Sequence, residues 1–331
     1  MSIQSITQIA LAITWLVTSI AFVIMLYWGV RITRDFAKLR NGLTVLYAAV
    51  LVWYLVCSSS SISQLPNFPP LVFANWQFGW LAAALVVALL FCLVVISDKG
   101  APILSLLYLV STLLILVAWH RQITASSVAL GIAVSLIAFV AGGILFWVNK
   151  FAPKPTLIIF LLFVPPMFIV GSLLMAHTGL RGIRLLEGQY GSALTSFLWG
   201  CLLFIPLGLA NAANKQEAYP WVNRWWQPLV MPLWSGINEE VIFMLFLVPL
   251  CYALLRPAFN WQPGLAIMTA VLFSGITFGL AHGRTWSNFW SAGLCYGLPM
   301  AVVFASRDWE YAVGAHYMVN MIPWVMVFLK K

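Results

Sequence analysis

A helical bundle buried in lipid is the architecture this sequence predicts, and three observations carry it. Of 331 residues, 63% are hydrophobic and 8% charged, with a mean hydropathy of +0.98, which leaves too little polar surface for a water-facing protein. The apolar residues fall in long, near-continuous runs, and a membrane span needs about 20 of them. Inside hydrocarbon every backbone N–H and C=O must be paired internally, which an open chain achieves only as helix. The expected fold is all-α, a polytopic helical membrane protein with roughly 11 transmembrane helices. A tail-anchored soluble enzyme, a disulfide-stapled secreted scaffold and an outer-membrane barrel with alternating strands are excluded.

The runs lie near residues 7–30, 42–60, 71–97, 101–119, 123–148, 156–176, 192–212, 233–255, 263–282, 288–305 and 311–329. No Lys or Arg precedes Arg31, so the first run lacks the basic flank of a signal peptide; it is also too long for one and should be retained as a span. The serines at 58–61 with Pro66, Pro69 and Pro70 read as a short external loop. Pro165 and Pro166 fall inside a run and should kink that helix. Trp221, Trp225, Trp226 and Trp234 should mark a membrane interface.

The net charge of +9 comes from 17 Lys+Arg against 8 Asp+Glu. In a soluble protein this would suggest nucleic acid. Here the basic residues sit in the connections, as the positive-inside rule requires, so the expected partner is membrane lipid and no nucleic acid. The odd-numbered connections and the C-terminal tail hold 12 of them, and the even-numbered connections hold 5: Arg121, Arg181, Arg184, Arg256 and Arg307. The N-terminus is therefore expected outside and the C-terminus inside, with a bacterial cytoplasmic membrane as the expected setting. Cys57, Cys92, Cys201, Cys251 and Cys295 are scattered singly with no CxxC pair, and they read as buried free thiols.

An ionisable group deep in a bilayer is costly unless paired or hydrated, so the deep ones point to chemistry. Asp35, Asp98, Glu187, Glu217, Asp308 and Glu310 fall in or beside connections, and His120 and His177 at run ends; these read as ordinary solvated residues. Glu239, Glu240, His282, His316 and Asn320 remain. The two glutamates stand in WSGINEEVIFMLFLVPL, just inside an apolar helix. Adjacent helical residues point about 100° apart, so at most one should face a given cavity squarely and the other needs a second partner. Two carboxylates this close in low dielectric should not both ionise freely, a setting that suits a general base. His282 ends FSGITFGLAH with Phe278 four residues earlier, and His316 and Asn320 share a face of GAHYMVNMIPW. No serine-centred elbow and no Cys–His pair at a recognised spacing is present, which disfavours covalent catalysis. Glu239, His282 and His316 could alternatively bind zinc, although HExxH is absent.

Glu-Glu, then FxxxH, then HxxxN, each on its own hydrophobic segment, resembles the CPBP or Abi family of intramembrane proteases, which includes type II CAAX prenyl endopeptidases and bacteriocin-processing or self-immunity proteins. The resemblance covers roughly residues 236–322 and implies a protease core at 226–331, preceded by N-terminal helices of unassigned role at 1–225. Carried over by position, it implies an endopeptidase acting on a membrane-associated protein or peptide. Glu239 would be the general base activating a water and His282 would help hold that water. His316 and Asn320 would donate to the oxyanion, with Glu240 in support. No cofactor is implied by the metal-free mechanism; zinc on Glu239, His282 and His316 is the alternative. The family pattern is usually EExxxR, and Met244 stands where the arginine would be. The missing fixed charge leaves two further readings, a non-hydrolysing membrane scaffold or chaperone and, less well supported, a proton-relay transporter. The topology also sets a constraint: Glu239 and His282 approach from the cytoplasmic side, whereas His316 lies only about five residues into the last span from the outer side, so a shared site requires that helix to be short, tilted or sunken, or the loop count to be different.

Overall fold

The apolar runs become helices where basic residues, proline and glycine punctuate them. The computed structural model describes residues 3–27, 34–58, 112–113, 116–117, 119–149, 154–214, 222–258, 262–282 and 289–329. Helices α1 (Ile3–Tyr27) and α2 (Arg34–Ser58) take the first two runs. The runs expected at 71–97 and 101–119 lie outside the described residues, apart from a few positions at 112–119. Helices α3 (Ala125–Asn149) and α4 (Lys154–Thr178) follow, and α4 continues through Pro165 and Pro166.

The run expected at 192–212 is two helices, α5 (Tyr190–Leu203) and α6 (Ile205–Asn214), set at 46° to each other. Pro206, just past the break, has no N–H to continue the ladder. The carbonyls freed at the bend are taken up by the N-terminal helices: Leu202 O accepts the indole N–H of Trp15 at 3.0 Å, and Leu203 O accepts the hydroxyl of Tyr47. The bend and the docking of α1 and α2 are thus one arrangement.

The next run is continuous from Gln227 to Ala258. It comprises α7 (Gln227–Val230), α8 (Pro232–Glu239), a π-helical stretch (Glu240–Leu247) and α9 (Val248–Ala258). Helix α10 (Pro263–Ala281) follows, then a second π-helical stretch (Phe289–Gly297) that runs into α11 (Leu298–Ser306), and finally α12 (Trp309–Leu329). Among the described residues there is no strand, and seven helices are long and apolar enough to cross a membrane, eight if the bent pair is one span. The Gln227–Arg256 span is the axis: 89% of its most apolar stretch is buried, against 28% for α1 and for α2.

Small residues let the helices close on this axis. Helices α5 and α12 cross where Gly200 lies against the Tyr311 carbonyl and Gly314 against the Phe197 carbonyl. A Cβ on Gly279 would come within 2.6 Å of Gly293 Cα, so α10 and the following π-helical stretch meet backbone to backbone. That contact brings the end of α10, with His282, toward the axis.

The last helix starts inside the bundle. Ser306, Asp308, Trp309 and Glu310 are all buried. Asp308 Oδ1 accepts the Tyr311 N–H at 2.9 Å and caps α12, while its Oδ2 accepts from Arg184 Nε at 2.7 Å and Ser196 Oγ at 2.8 Å. Glu310 Oε1 accepts the Leu185 N–H at 2.9 Å. This corrects the reading of Asp308 and Glu310 as solvated loop residues: a helix start inside a bundle needs buried acceptors for its own and its neighbours' N–H groups. Among the cysteines, Cys201, Cys251 and Cys295 are buried and in no disulfide, but Cys57 is exposed near the end of α2, and Cys92 lies outside the described residues. Glu187 and His120 are exposed as expected, and Asp98 and Glu217 lie outside the described residues.

The helix crossing can be tested. Gly314→Val should force α5 and α12 apart and cost about 1–3 kcal/mol. Gly143→Ala on α3, where a Cβ meets nothing within 4 Å, should leave the thermal midpoint in detergent unchanged or raise it.

Candidate active site

Five polar side chains selected from the sequence come from three segments, and the fold brings all three together. Glu239 ends α8, Glu240 opens the π-helical stretch, His282 caps the C-terminus of α10, and His316 and Asn320 lie one turn apart on α12. His316 is the hub. Its Nδ1 lies 2.9 Å from Glu240 Oε1 and its Nε2 lies 3.7 Å from Glu239 Oε2. His282 Nε2 is 3.5 Å from the same Glu239 oxygen.

Both glutamates therefore reach one histidine, on its two different nitrogens, where the 100° rule allowed one good fit. The winding changes from α to π at the second of these acids, Glu240. A π turn closes i→i+5 bonds and is wider than an α turn, and such turns are frequent at functional sites. Glu240 is fully buried and His316 nearly so, whereas the His282 side chain is 39% exposed and that of Glu239 24%. Glu239 and His282 thus form the accessible half of the cluster, and Glu240 and His316 the buried half.

The hydrogen bonds fix the histidine tautomers. His282 Nδ1 is 2.9 Å from the Phe278 carbonyl, which can only accept, so Nδ1 carries the proton. The neutral ring then offers a bare Nε2 toward Glu239. The Phe278 ring packs against both imidazoles, with centroids 4.5 Å from His282 and 5.6 Å from His316. The FxxxH spacing thus serves two ends: its carbonyl orients one histidine and its ring braces both. Glu239 Oε2 and Glu240 Oε2 are buried with no hydrogen-bond partner among the described residues.

Asn320 is held by a residue the sequence did not single out. Its Nδ2 donates to Ser235 Oγ at 2.8 Å, and Ser235 in turn donates to the Pro232 carbonyl at 3.3 Å. One N–H of the amide remains beyond that bond. Met244, in the place of the family arginine, is fully buried. Its sulfur lies 3.3 Å from Ser274 Oγ, which also donates to the Phe243 carbonyl at 2.7 Å. The position is an apolar packing site against α10.

A cavity of about 450 Å³ opens beside the cluster, with His282, His316, Asn320 and Phe278 in its wall. Glu239 does not line it, but its Oε2 lies within 3.7 Å of the Nε2 atoms of both lining histidines. The opposite wall comes from helices outside the motif-bearing region: Arg40, Asn41 and Thr44 on α2, and Asn211 on α6. Asn211 Nδ2 also donates to the Val319 carbonyl at 3.0 Å and so ties α6 to α12. Sequence reasoning missed these residues; the polar pair Arg40 and Asn41, directly before the apolar run at 42–60, was the available signal. As for metal, no group of three or more His, Cys, Asp or Glu among the described residues is arranged to hold an ion.

Residues 221–322, just under a third of the chain, match the family described as type II CAAX prenyl endopeptidase Rce1-like. All three motif-bearing segments lie within the match, which agrees with a CPBP-type protease domain. No curated protein and no solved structure matches the chain. The chain is a multi-pass membrane protein, and its residues 221–322 are similar to this peptidase family.

The two histidines should differ in stability. His316→Ala strips a fully buried carboxylate of its hydrogen-bond partner and should cost about 1–3 kcal/mol. His282→Ala, at a half-exposed ring, should cost clearly less, as read from thermal unfolding in detergent.

Proposed function

We propose that the chain is an intramembrane endopeptidase in which Glu239 activates a water against a peptide bond of a membrane-associated protein or peptide. One observation carries the proposal. Glu239 Oε2 and the Nε2 atoms of His282 and His316 converge at 3.5 and 3.7 Å, and in their neutral-ring, ionised-carboxylate forms all three are acceptors. Three converging acceptors need a donor between them, and a water molecule supplies two protons.

The chemistry follows from that placement. Glu239 takes one proton as the water oxygen attacks the carbonyl carbon, and the bare Nε2 of His282 holds the other. Negative charge then develops on the carbonyl oxygen. The remaining Asn320 N–H is a donor for it, and so is His316 Nε2 when that ring is doubly protonated. Glu240, hydrogen-bonded at Nδ1, orients the His316 ring and stabilises a proton arriving at Nε2. Collapse of the tetrahedral intermediate returns the proton from Glu239 to the leaving amine and breaks the C–N bond. No metal takes part in any of these steps.

A second reading, a non-hydrolysing membrane scaffold of the same fold, draws on Met244. An apolar, tightly packed side chain there supplies no charge to the neighbouring carboxylates.

The test compares new protein termini in membranes from cells making the wild type and the Glu239→Gln variant. The hydrolase reading expects termini that depend on Glu239. On a peptide spanning such a cut, Glu239→Gln should lower kcat by about 10²–10⁴-fold and Asn320→Ala by about 10²–10³-fold. Identical termini from both membranes would leave the scaffold. Chelation with 1,10-phenanthroline should leave the wild-type rate unchanged; a loss restored by zinc would replace this mechanism with the metal one.

A further inference from the structure

At the far end of the bundle a second cavity, of about 660 Å³, collects charge that hydrolysis does not use. Arg181 and Arg184 reach it from the connection before α5, and Arg307 from the connection before α12. These are three of the five basic residues in the even-numbered connections, the side where such residues are disfavoured. Positions more than 120 residues apart in the chain, Arg184 and Arg307, thus converge where a random scatter would keep them apart.

Among the described residues the only acid in the wall is Asp308, and it is already committed to Arg184 Nε, Ser196 and the Tyr311 N–H. The terminal nitrogens of Arg184 have no acceptor among the described residues. Arg307 gives Nη2 to Ser58 Oγ at 2.9 Å, and its Nε and Nη1 have no acceptor there. The first turn of α5, with Gly191 and Ser192, also faces this cavity. Its N-cap, Gln189, makes no side-chain cap, so the positive end of a 14-residue helix adjoins the same cavity as the arginines. Guanidinium groups and uncapped helix N–H groups together match the tetrahedral oxygens of a phosphate.

The rim identifies the carrier. Leu194, Leu198 and Leu202 are exposed at four-residue spacing along α5, and Tyr190 and Trp199 are exposed beside the cavity. That is an apolar track leading from the charged pocket along the helix surface, flanked by the aromatic residues typical of the headgroup level. We propose that this pocket binds the headgroup phosphate of an anionic lipid, with an acyl chain along the α5 leucines. The site is independent of the hydrolase reading.

Purified full-length protein in neutral detergent would be offered dioctanoyl phosphatidylglycerol, dioctanoyl phosphatidylcholine or inorganic phosphate, with adducts read by native mass spectrometry and thermal shift. The phosphatidylglycerol should bind at least about tenfold more tightly than either alternative. Arg181→Gln, in an exposed connection, and Arg307→Gln should each weaken it by about tenfold. Arg307→Lys, which keeps the charge and guards against a folding defect, should retain most of the binding. Glu239→Gln should bind like the wild type, so failure of the hydrolase reading leaves this one standing. Equal retention of phosphatidylcholine, or unchanged binding in both glutamine variants, would overturn the proposal. Inorganic phosphate displacing the lipid at equal concentration would overturn the lipid assignment and give the pocket to the free ion.

Discussion

The hydrogen bond between Glu240 and His316 is the constraint on which the rest of the centre depends. Within an apolar bundle a carboxylate and an imidazole are each costly alone, and pairing them offsets much of that cost while fixing both orientations. Once His316 Nδ1 is committed, its Nε2 can only look toward Glu239, and the preceding residue in the chain must reach round to the same ring. His282 enters the same geometry from α10, held by its own backbone acceptor. The buried pair is scaffold for the exposed one.

The helices outside the matched domain complete this arrangement. The bend at Phe204 leaves carbonyls that Trp15 and Tyr47 satisfy, and α2, so docked, presents Arg40, Asn41 and Thr44 across the cavity from the histidines. A separation at residue 225 describes the motif content of the sequence. The cavity wall is drawn from both sides of that line.

Much of the centre was legible because deep polar groups are few in so apolar a chain. Glu239, Glu240, His282 and His316 stood out against their surroundings, and they meet. Asn320 was found, but its Ser235 partner was not, since a serine in a transmembrane helix usually satisfies itself on the preceding turn and gives no signal of a tertiary role. Asp308 and Glu310 were misread because proximity to a loop was taken as proximity to water; the last helix begins inside the bundle, which periodicity does not report. Helices apolar on every side carry little directional pattern, so the expected runs within the described residues matched in position while the break at Phe204 and the wide turns at 240–247 and 289–297 went unread.

The wide turn after Glu239 has a structural corollary. It slips the angular phase of the helix, so side chains before and after it are dealt to different neighbours than uniform winding would choose. At its start, Glu239 and Glu240 meet the imidazoles; near its end, the Leu245 backbone lies against Gly171 of α4. Removing a single residue anywhere in the stretch would re-phase one end against the other, which makes chain length there as stringent a requirement as the identity of the acids themselves.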